Sequence, residues 1–189
     1  MRKLILLMHT SLDNLVAGPN GEINWIHVDN EIFDRAKDFT DNADTALYGR
    51  VTYEMMESYW PNAGKSPNAS KHDIEHSEWA NSVPKIVFSR TMKTTSWKGT
   101  RIVSENISEE IKKLKQQPGK DMIMFGSAAT ANTLTQLGLI DEYRLFQNPV
   151  ILGKGIPLFK NIQNKIDLTL LKTRTFSSGV VELHYGIKK

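Results

Sequence analysis

Residues 121–138 read DMIMFGSAATANTLTQLG and contain an apolar run, a junction of small residues and a second periodic segment. The run at 121–125 has the length and composition of a buried strand, whereas the apolar residues of 129–138 have helical spacing. Gly138 is placed to close this helix at its carboxyl end. Gly126 separates the two elements, and a glycine at such a junction leaves the backbone open to a close neighbour. The stretch therefore predicts a strand followed directly by a helix, the repeating unit of α/β folds.

The same alternation of strands and helices extends toward the amino terminus. Short apolar runs rich in β-branched residues predict strands, and apolar residues at intervals of three and four predict amphipathic helices. Asp29 or Asn30 is a suitable N-terminal cap for the first helix. The predicted strands are 3–9, 45–48, 85–89 and 101–104, and the predicted helices are 29–40, 50–60 and 107–115.

Two upstream segments predict irregular structure. Residues 13–25, DNLVAGPNGEINW, have the Gly, Pro and Asn content of a long loop rather than of a second strand. Residues 61–73 are the most polar and Pro/Gly-rich part of the chain and predict a surface excursion. The segment HDIEHSE at 72–78 has the pattern of a solvent-exposed face. His72 and His76 have the i, i+4 spacing of a metal pair but lack an evident third ligand, so we expect no metal site.

After Gly138 the pattern changes from alternating elements to consecutive strands. The segments EYRLFQNP (142–149), DLTLLKTRTF (167–176) and VVELHYGI (180–187) predict three strands, the last two joined as a hairpin across SSG. The whole pattern predicts an α/β fold with a mostly parallel central sheet, flanking helices and antiparallel edge strands at the carboxyl end. At 189 residues the chain fits a single domain, 1–189.

Composition excludes several classes of protein. The chain has no cysteine, which excludes a disulfide framework, a thiolate metal site and the zinc deaminase signature. Its net charge of +3 comes from basic residues scattered among acidic ones, so we expect no nucleic-acid partner. No apolar run is long enough for a signal core or a membrane span, which predicts a cytoplasmic protein without a membrane partner.

Three predicted strands end in small, hydroxyl or cationic residues, at 49–52, 89–91 and 126–128. The carboxyl ends of parallel strands lie on one edge of a sheet, where open α/β sheets bind their ligands. The helix starts at the first and third of these ends offer unpaired N–H groups to an anion. The pattern lacks the G-x-G-x-x-G and P-loop motifs, and it favours a ligand with separated phosphates, such as a dinucleotide with a 2′-phosphate. The candidate residues are Gly49, Arg50, Thr52, Ser89, Arg90, Gly126, Ser127 and Ala128.

Five stretches, distributed in order over the chain, resemble successive signatures of the dihydrofolate-reductase-like family that includes the RibD C-terminal domain, the reductase of riboflavin biosynthesis. They are SLDNLVAGPNGEINW (11–25), ALYGRVTYEMM (46–56), PKIVFSRT (84–91), MFGSAATANTL (124–134) and GLIDEYRLFQNPVILGKGIPLF (138–159). The resemblance implies a dihydrofolate-reductase-like fold with NADPH as the hydride donor. The implied contacts are Val16 and Ala17 for the nicotinamide, Gly49, Arg50 and Thr52 for the pyrophosphate and 2′-phosphate, Ser89 and Arg90 for the adenosine, and Gly126, Ser127 and Ala128 for the pyrophosphate.

The acid that protonates the substrate is not fixed by the sequence. A dihydrofolate reductase carries an acidic residue early in its first helix, but here Asp29, Glu31 and Asp34 all stand near that position. Asp29 and Glu31 are the candidate catalytic acids, although acids in a first helical turn also stabilise the helix dipole. His9 ends the first strand, and we expect it to be a core or rim residue rather than a catalytic one.

The resemblance leaves the substrate open. It implies a small heterocyclic or ribosylamine substrate, for example 5-amino-6-(5-phosphoribosylamino)uracil. A dihydrofolate or other pteridine reductase is the alternative enzyme, and an NADPH-binding regulatory protein without catalysis is the alternative from another class. In the resembled family strands like 181–187 pair between subunits, which predicts a homodimer; burial of their apolar face within one subunit is the alternative.

Overall fold

The computed structural model describes residues 1–188. Its centre is a sheet of eight strands, beside which lies a separate pair of short strands. In chain order the strands are β1 (Leu4–Thr10), β2 (Leu15–Ala17), β3 (Ala43–Gly49), β4 (Lys85–Phe88), β5 (Thr100–Val103), β6 (Asp121–Phe125), β7 (Glu142–Gln147), β8 (Ile156–Pro157), β9 (Leu168–Thr175) and β10 (Val181–Ile187). The helices are α1 (Asn30–Asp41), α2 (Arg50–Ala63), α3 (Lys71–Ser82), α4 (Ile107–Gln116) and α5 (Ala128–Gln136).

The strands of the large sheet follow the order β5-β4-β3-β6-β1-β7-β10-β9. The strands from β5 to β7 pair in parallel, whereas β10 pairs antiparallel with both β7 and β9. Parallel neighbours require crossover connections, and helices supply most of them here. The predicted fold class, a mostly parallel sheet flanked by helices with antiparallel edge strands at the carboxyl end, is confirmed.

Helices cover both faces of the sheet, because side chains alternate between the faces along each strand. On one face Leu4 and Leu6 of β1 pack with Ile111 of α4 and Leu134 of α5. On the opposite face Leu7 belongs to a cluster with buried residues of α1, α2 and α3. The carboxyl ends of the parallel strands thus form one edge, bordered by helix starts on both sides.

Gly138 ends α5 as the sequence predicts. Its φ of +63° lies in the left-handed region, which glycine adopts without the steric cost of a Cβ. The N–H of Gly138 donates to the carbonyl of Thr135 at 3.0 Å, and that of Leu139 donates to the carbonyl of Leu134 at 2.9 Å. These two bonds form a Schellman motif, which satisfies the last carbonyls of the helix and turns the chain toward β7.

The loop at 13–25 contains a short strand that the sequence did not predict. β2 lies within this loop and pairs antiparallel with β8. Asp13 accepts the backbone N–H groups of Leu152 at 3.1 Å and Gly153 at 2.8 Å. These contacts join distant parts of the chain, and the local composition carries no signal for them. The prediction of a loop without a strand is wrong for this reason.

The polar segment at 61–73 is shorter than predicted, because α2 and α3 both extend into it. The sequence did not predict α3 as a separate helix. His72 of α3 stacks on Phe33 of α1 with 3.9 Å between ring centroids, and His76 lies 4.1 Å from the ring of Trp60 in α2. The prediction of a solvent-exposed face here is wrong for the two histidines, whose rings pack between neighbouring helices.

A cluster of charged side chains fixes α1 to the antiparallel edge of the sheet. Glu182 of β10 is only 2% exposed. Arg35 of α1 donates to its carboxylate from Nε at 2.7 Å and from Nη2 at 2.9 Å, and Arg144 of β7 donates from Nη1 at 3.1 Å. His184 lies 2.8 Å from the carboxylate of Glu142, which joins the same cluster. Removing one partner of such a buried ion pair leaves an unpaired charge in the interior, which strongly destabilises the folded protein.

The variant Glu182→Gln is expected to lower the free energy of unfolding by about 3 kcal/mol, because it leaves two guanidinium groups without their buried partner. Burial opposes ionisation of Glu182, but Arg35 and Arg144 outweigh it and hold its pKa below the usual value. The stabilisation is therefore present above the unfolded pKa of about 4.3 and is lost as the pH falls through the folded pKa.

Denaturant unfolding at neutral and acidic pH measures both effects, and the stability of Glu182→Gln should depend less on acid than that of the parent chain. Asp41→Asn is the matched control, since it breaks the exposed pair between Lys37 and Asp41. The control should cost less than about 0.5 kcal/mol. An equal loss in the two variants would contradict a stabilising role for the buried cluster.

Candidate functional site

The three strand ends identified in the sequence are neighbours in the structure. β4, β3 and β6 are consecutive in the sheet and run parallel. Ser89 directly follows β4, Gly49 ends β3 and Gly126 directly follows β6. Their carboxyl ends therefore form one continuous edge, which is where ligands of open α/β sheets bind.

A hydroxyl group joins two of these strand ends directly. The Gly49 N–H donates to Ser127 Oγ at 2.8 Å, and Ser127 Oγ donates to the Phe125 carbonyl at 3.2 Å. Ser127 has a φ of +64°, an unusual value for a residue other than glycine. Such left-handed residues are enriched at ligand-binding positions, where the surrounding structure holds them.

The glycines at these ends are required by close packing at one position and by backbone conformation at the other. A Cβ on Gly49 would lie 2.5 Å from Thr130 Oγ1, and a Cβ on Gly126 would lie 3.4 Å from Thr52 Cγ2. Gly126 also has a φ of +54°, which side-chain-bearing residues rarely adopt. Both positions therefore require glycine, and Thr52 stands beside the second of them.

Helix starts at the site differ from the other helix starts among residues 1–188. α2 begins after Gly49 and α5 after Ser127; neither has a side-chain cap or an acidic residue in its first turn. α1 is capped by Asp29, α3 has a reciprocal capping box, and α4, which also lacks a side-chain cap, has Glu109 and Glu110 in its first turn. Uncapped first-turn N–H groups carry a partial positive charge and bind anions. The starts of α2 and α5, which includes Ala128, can thus hold the two phosphates of a pyrophosphate.

Two arginines stand beside this edge. Arg50 is the first residue of α2, and its Nη1 donates to both carboxylate oxygens of Glu54, at 3.0 and 2.8 Å. Arg90 is exposed in the loop after β4. The neighbouring Ser89 is buried, and its Oγ accepts the N–H groups of Thr91 at 3.2 Å and Met92 at 2.9 Å. Ser89 thus shapes the loop that carries Arg90.

Val16 and Ala17 lie in β2, next to the bend at 153–155. A Cβ on Gly155 would overlap the carbonyl oxygen of Ala17, so the two backbones are in close contact. Asp13 holds the same bend, and its pKa is lowered to about 2, chiefly by the Ser11 hydroxyl and the N–H of Gly153. The loop that bears Val16 and Ala17 is therefore held against the bend at 153–155.

The two candidate acids both have structural partners. The carboxylate of Asp29 accepts the N–H of Ile32 at 2.9 Å and so caps α1. Glu31 Oε2 accepts the N–H and the hydroxyl of Ser177 at 3.0 and 3.1 Å, in the turn between β9 and β10. Asp34, the third acid near this position, is exposed. Asp29 therefore has the helix-stabilising role that first-turn acids commonly have.

Asn148 was not singled out in the sequence, yet it links several segments at the carboxyl edge. It is 1% exposed, its Oδ1 accepts the N–H of His27 at 2.8 Å, and its Nδ2 donates to the carbonyl of Phe146 at 2.9 Å. His9, at the end of β1, stacks on Phe146, and burial lowers its pKa to about 4. His9 is thus a neutral rim residue at neutral pH. The only local signal for Asn148 is its place at a strand end before a proline.

A cavity of about 630 Å³ lies at the opposite, amino edge of the sheet. Arg2 and Arg101 line it, but they pair with Asp44 and Glu110, which also line it. The ammonium of Lys85 donates to the carbonyls at the end of α3. Arg2 and Arg101 are thus already paired, and the cavity lies away from the carboxyl ends of the parallel strands, where open α/β sheets bind their ligands, so the carboxyl edge remains the better candidate site.

Comparison with known proteins identifies the family. The family model described as RibD C-terminal domain matches residues 2–182. The uncharacterized protein YyaP of Bacillus subtilis (strain 168) is 39% identical over 184 residues, which cover 97% of this chain and 94% of the relative. YwjB of the same organism is 29% identical over 185 residues, with 97% of each chain covered. The chain therefore belongs to the RibD C-terminal domain family.

Solved structures show the same fold at low sequence identity. A protein from Shewanella sp. PV-4, which its name links provisionally to riboflavin biosynthesis, is 21% identical with a TM-score of 0.75, and 99% of each chain is covered. The Thermotoga maritima diaminohydroxyphosphoribosylaminopyrimidine deaminase/5-amino-6-(5-phosphoribosylamino)uracil reductase is 12% identical with a TM-score of 0.69; 99% of this chain matches 57% of that one. The fold is that of the dihydrofolate-reductase-like RibD C-terminal domains.

Within the described part of the chain, no helix is long and apolar enough to span a membrane.

Proposed function

We propose that this chain is an NADPH-dependent reductase of the RibD C-terminal type, acting as one domain over residues 1–189. The observation that carries the proposal is the pair of helix starts at α2 and α5, which adjoin each other through the Gly49–Ser127 bond and lack acidic first-turn residues. Two adjoining helix starts suit a pyrophosphate, because each phosphate can accept N–H groups from one of them. Membership of the RibD C-terminal domain family supports the same cofactor.

Each part of the cofactor is proposed to contact a separate part of the carboxyl edge. The helix starts would hold the pyrophosphate, and a cation beside α2 would hold the 2′-phosphate. The adenosine would lie toward β4 and the nicotinamide toward β2. The proposed contacts are Gly49, Gly126, Ser127 and Ala128 for the pyrophosphate, Arg50 and Thr52 for the 2′-phosphate, Ser89 and Arg90 for the adenosine, and Val16 and Ala17 for the nicotinamide.

In this proposal NADPH supplies a hydride to a C=N or carbonyl carbon of a small heterocyclic or ribosylamine substrate. The residues of the chain bind and orient the two ligands. The loop at 13–25, which carries Trp25, covers the nicotinamide end and excludes water. Its attachment through β8 and Asp13 supports this role. The proton comes from Asp29, from Glu31 or from solvent.

The name of the Thermotoga maritima protein gives 5-amino-6-(5-phosphoribosylamino)uracil as the compound that its reductase acts on. The same compound is a candidate substrate here, and dihydrofolate or another pteridine is the alternative. NADPH binding without catalysis is a second candidate function. It is favoured by one observation, the hydrogen bonds that engage both Asp29 and Glu31 in structural contacts.

Two measurements test the proposed function in sequence. Tryptophan fluorescence, titrated with NADPH and then NADH, is expected to give saturable NADPH binding that is tighter than NADH binding; absence of NADPH binding would refute both candidate functions. NADPH oxidation is then followed with the ribosylaminouracil phosphate, dihydrofolate and a panel of small aldehydes. Oxidation with any of them supports a reductase, whereas no oxidation with all of them leaves only the regulatory protein.

We also propose that the chain forms a homodimer through the outer face of β9 and β10. Leu168 and Leu170 are exposed on β9, and their register partners on β10 are Ile187 and Tyr185. Leu170 alone is 52% exposed. Exposed apolar side chains grouped on an edge strand in this way are typical of an interface. A second copy related by a two-fold axis would cover the same patch on both chains.

The variant Leu170→Glu is expected to convert the dimer to a monomer, because it places a charge in the middle of the apolar patch on each subunit. Light scattering coupled to size-exclusion chromatography measures the mass at several concentrations. The control is Lys172→Glu, whose register partner His184 lies on the opposite face of the hairpin. A monomeric parent chain, or monomers from both variants, would refute this interface.

A further inference from the structure

The side-chain amide of Asn148 has a fixed orientation just after β7. Its Oδ1 accepts the backbone N–H of His27 at 2.8 Å, and a backbone N–H can only donate. Its Nδ2 faces the carbonyls of Phe146 at 2.9 Å and Thr10 at 3.3 Å, which can only accept. Exchanging the amide oxygen and nitrogen would lose all three bonds. Asn148 therefore presents hydrogen atoms, and not a lone pair, on its Nδ2 side.

The imidazole of His9 lies on that side, with its Nδ1 3.4 Å from Asn148 Nδ2. Burial lowers the pKa of His9 to about 4, so at neutral pH only one of its two ring nitrogens carries a proton. A proton on Nδ1 would stand against the amide hydrogens of Asn148, whereas a bare Nδ1 accepts from them. The hydrogen-bond pattern therefore favours the tautomer of His9 that is protonated on Nε2.

The Nε2 edge is the open edge of the His9 ring. The ring stacks on Phe146 with 5.1 Å between the ring centroids and an interplanar angle of 26°. Within residues 1–188, Nε2 of His9 makes no hydrogen bond, and the buried side-chain atoms without a partner are Arg144 Nε and Ser178 Oγ. Nε2 is therefore reached by solvent, in agreement with a half-buried side chain. His9 thus holds an unpaired N–H donor in a fixed direction.

This donor stands where the proposed cofactor edge meets the start of α1. His9 follows Leu7 by two residues, so both side chains lie on the face of the sheet that α1 covers. The carbonyl of Leu7 accepts the N–H of Gly126 at 3.1 Å, next to the proposed pyrophosphate position. The amide that fixes the ring also holds the backbone two residues before Asp29, the N-cap of α1. A substrate between the nicotinamide end and α1 would meet Nε2 of His9.

From this arrangement we infer that the Nε2–H of His9 donates a hydrogen bond to the substrate of the proposed reductase. The contact selects a substrate that has an acceptor at this point, either a carbonyl oxygen or an unprotonated nitrogen. The inference rests on the proposed function and adds a residue that determines its specificity. A neutral imidazole can orient and polarise a carbonyl group without transferring a proton. His9 is therefore a hydrogen-bond donor in this account, and the proton has another source.

The tautomer is tested by nuclear magnetic resonance on protein labelled with ¹⁵N in its imidazole rings. The signals of His9 are those that disappear in the variant His9→Gln. At neutral pH they are expected to show a proton on Nε2 and none on Nδ1, with no ligand present. A proton on Nδ1, or a doubly protonated ring, would overturn the inference whether or not the chain is a reductase.

Contact with a substrate is tested on the same labelled protein, saturated with NADP+ so that no reduction occurs. It is titrated with dihydrofolate and, separately, with the ribosylaminouracil phosphate, both of which carry a ring carbonyl. At least one compound is expected to move the Nε2–H signal of His9 further than the ring signals of the other histidines. If neither compound moves the His9 signal, the inference is overturned.

Two variants of His9 separate the donor from the bulk of the ring. His9→Leu fills the space without a donor and is expected to weaken binding of the compound that moves the signal about tenfold. His9→Gln retains an N–H group and should restore binding to within about threefold of the parent chain. The control is His27→Leu, because His27 is exposed and meets Asn148 through its backbone. Equal losses in His9→Gln and His9→Leu, or an equal loss in the control, would contradict the hydrogen bond.

NADPH binding and oxidation are measured separately, so that the proposed function can fail by itself. Absence of NADPH binding, or of oxidation with every compound, is failure of the proposed reductase. Both His9 variants should bind NADPH as the parent chain does. With the compound that is oxidised, kcat/KM is expected to fall about tenfold in His9→Leu and to recover in His9→Gln. If oxidation occurs and His9→Leu keeps the parent kcat/KM, the reductase stands and the contact with His9 is refuted.

Discussion

The variant Gly126→Ala is expected to weaken binding of both NADPH and NADH by at least about thirtyfold. The added methyl group would keep the pyrophosphate away from the first-turn N–H groups of α5, and the charge-assisted hydrogen bonds to those groups would be lost. A Cβ at this position would stand where the backbone is proposed to approach the pyrophosphate. The same substitution strains the backbone, since Gly126 has a φ of +54°. We therefore expect a loss of stability of about 1 kcal/mol as well. Fluorescence titration and denaturant unfolding measure the two effects.

The chain offers a matched control for the strain. Gly138 has a similar φ of +63°, and a Cβ there would meet no atom within 4 Å. Gly138→Ala should therefore cost about 1 kcal/mol of stability and leave dinucleotide binding unchanged. If the two variants lowered cofactor affinity equally, the loss would come from strain in α5 and its junctions, and Gly126 would have no special role at the pyrophosphate.

Replacing Arg50 by alanine is expected to weaken NADPH binding about thirtyfold and NADH binding by less than about twofold, because only NADPH carries the 2′-phosphate that a guanidinium can bind. Arg50 now pairs with Glu54, so the phosphate would have to replace that carboxylate. The variant Glu54→Gln should consequently strengthen NADPH binding while leaving NADH binding unchanged. Calorimetric titration of both cofactors against the three chains measures these differences. Equal weakening of NADPH and NADH by Arg50→Ala would refute contact with the 2′-phosphate.

Local sequence signals predicted the elements that form the carboxyl edge. The strand-to-helix junctions at Gly49 and Gly126 are visible in the sequence because composition changes sharply within a few residues. Parallel pairing then brings the strand ends together, since β/α alternation with short connections favours a parallel sheet. The adjacency of β4, β3 and β6 agrees with that reasoning.

Long-range contacts account for what the sequence did not predict. β2 and β8 are short strands that form only because Asp13 and neighbouring backbone groups meet a distant segment. α3 has a polar composition, and its packing depends on rings supplied by α1 and α2. The positions of Asp29 and Glu31 likewise depend on the start of α1 and on the turn at Ser177. Periodicity and turn composition report only neighbours along the chain, so they carry no signal for such contacts.

The central claim is that the carboxyl edge binds NADPH through the starts of α2 and α5. A crystal structure of the chain with bound NADPH tests it most directly. The expected result is a pyrophosphate within hydrogen-bonding distance of the first-turn N–H groups after Gly49 and Ser127, with the 2′-phosphate beside Arg50. NADPH bound elsewhere, for example in the cavity at the amino edge of the sheet, would contradict the claim.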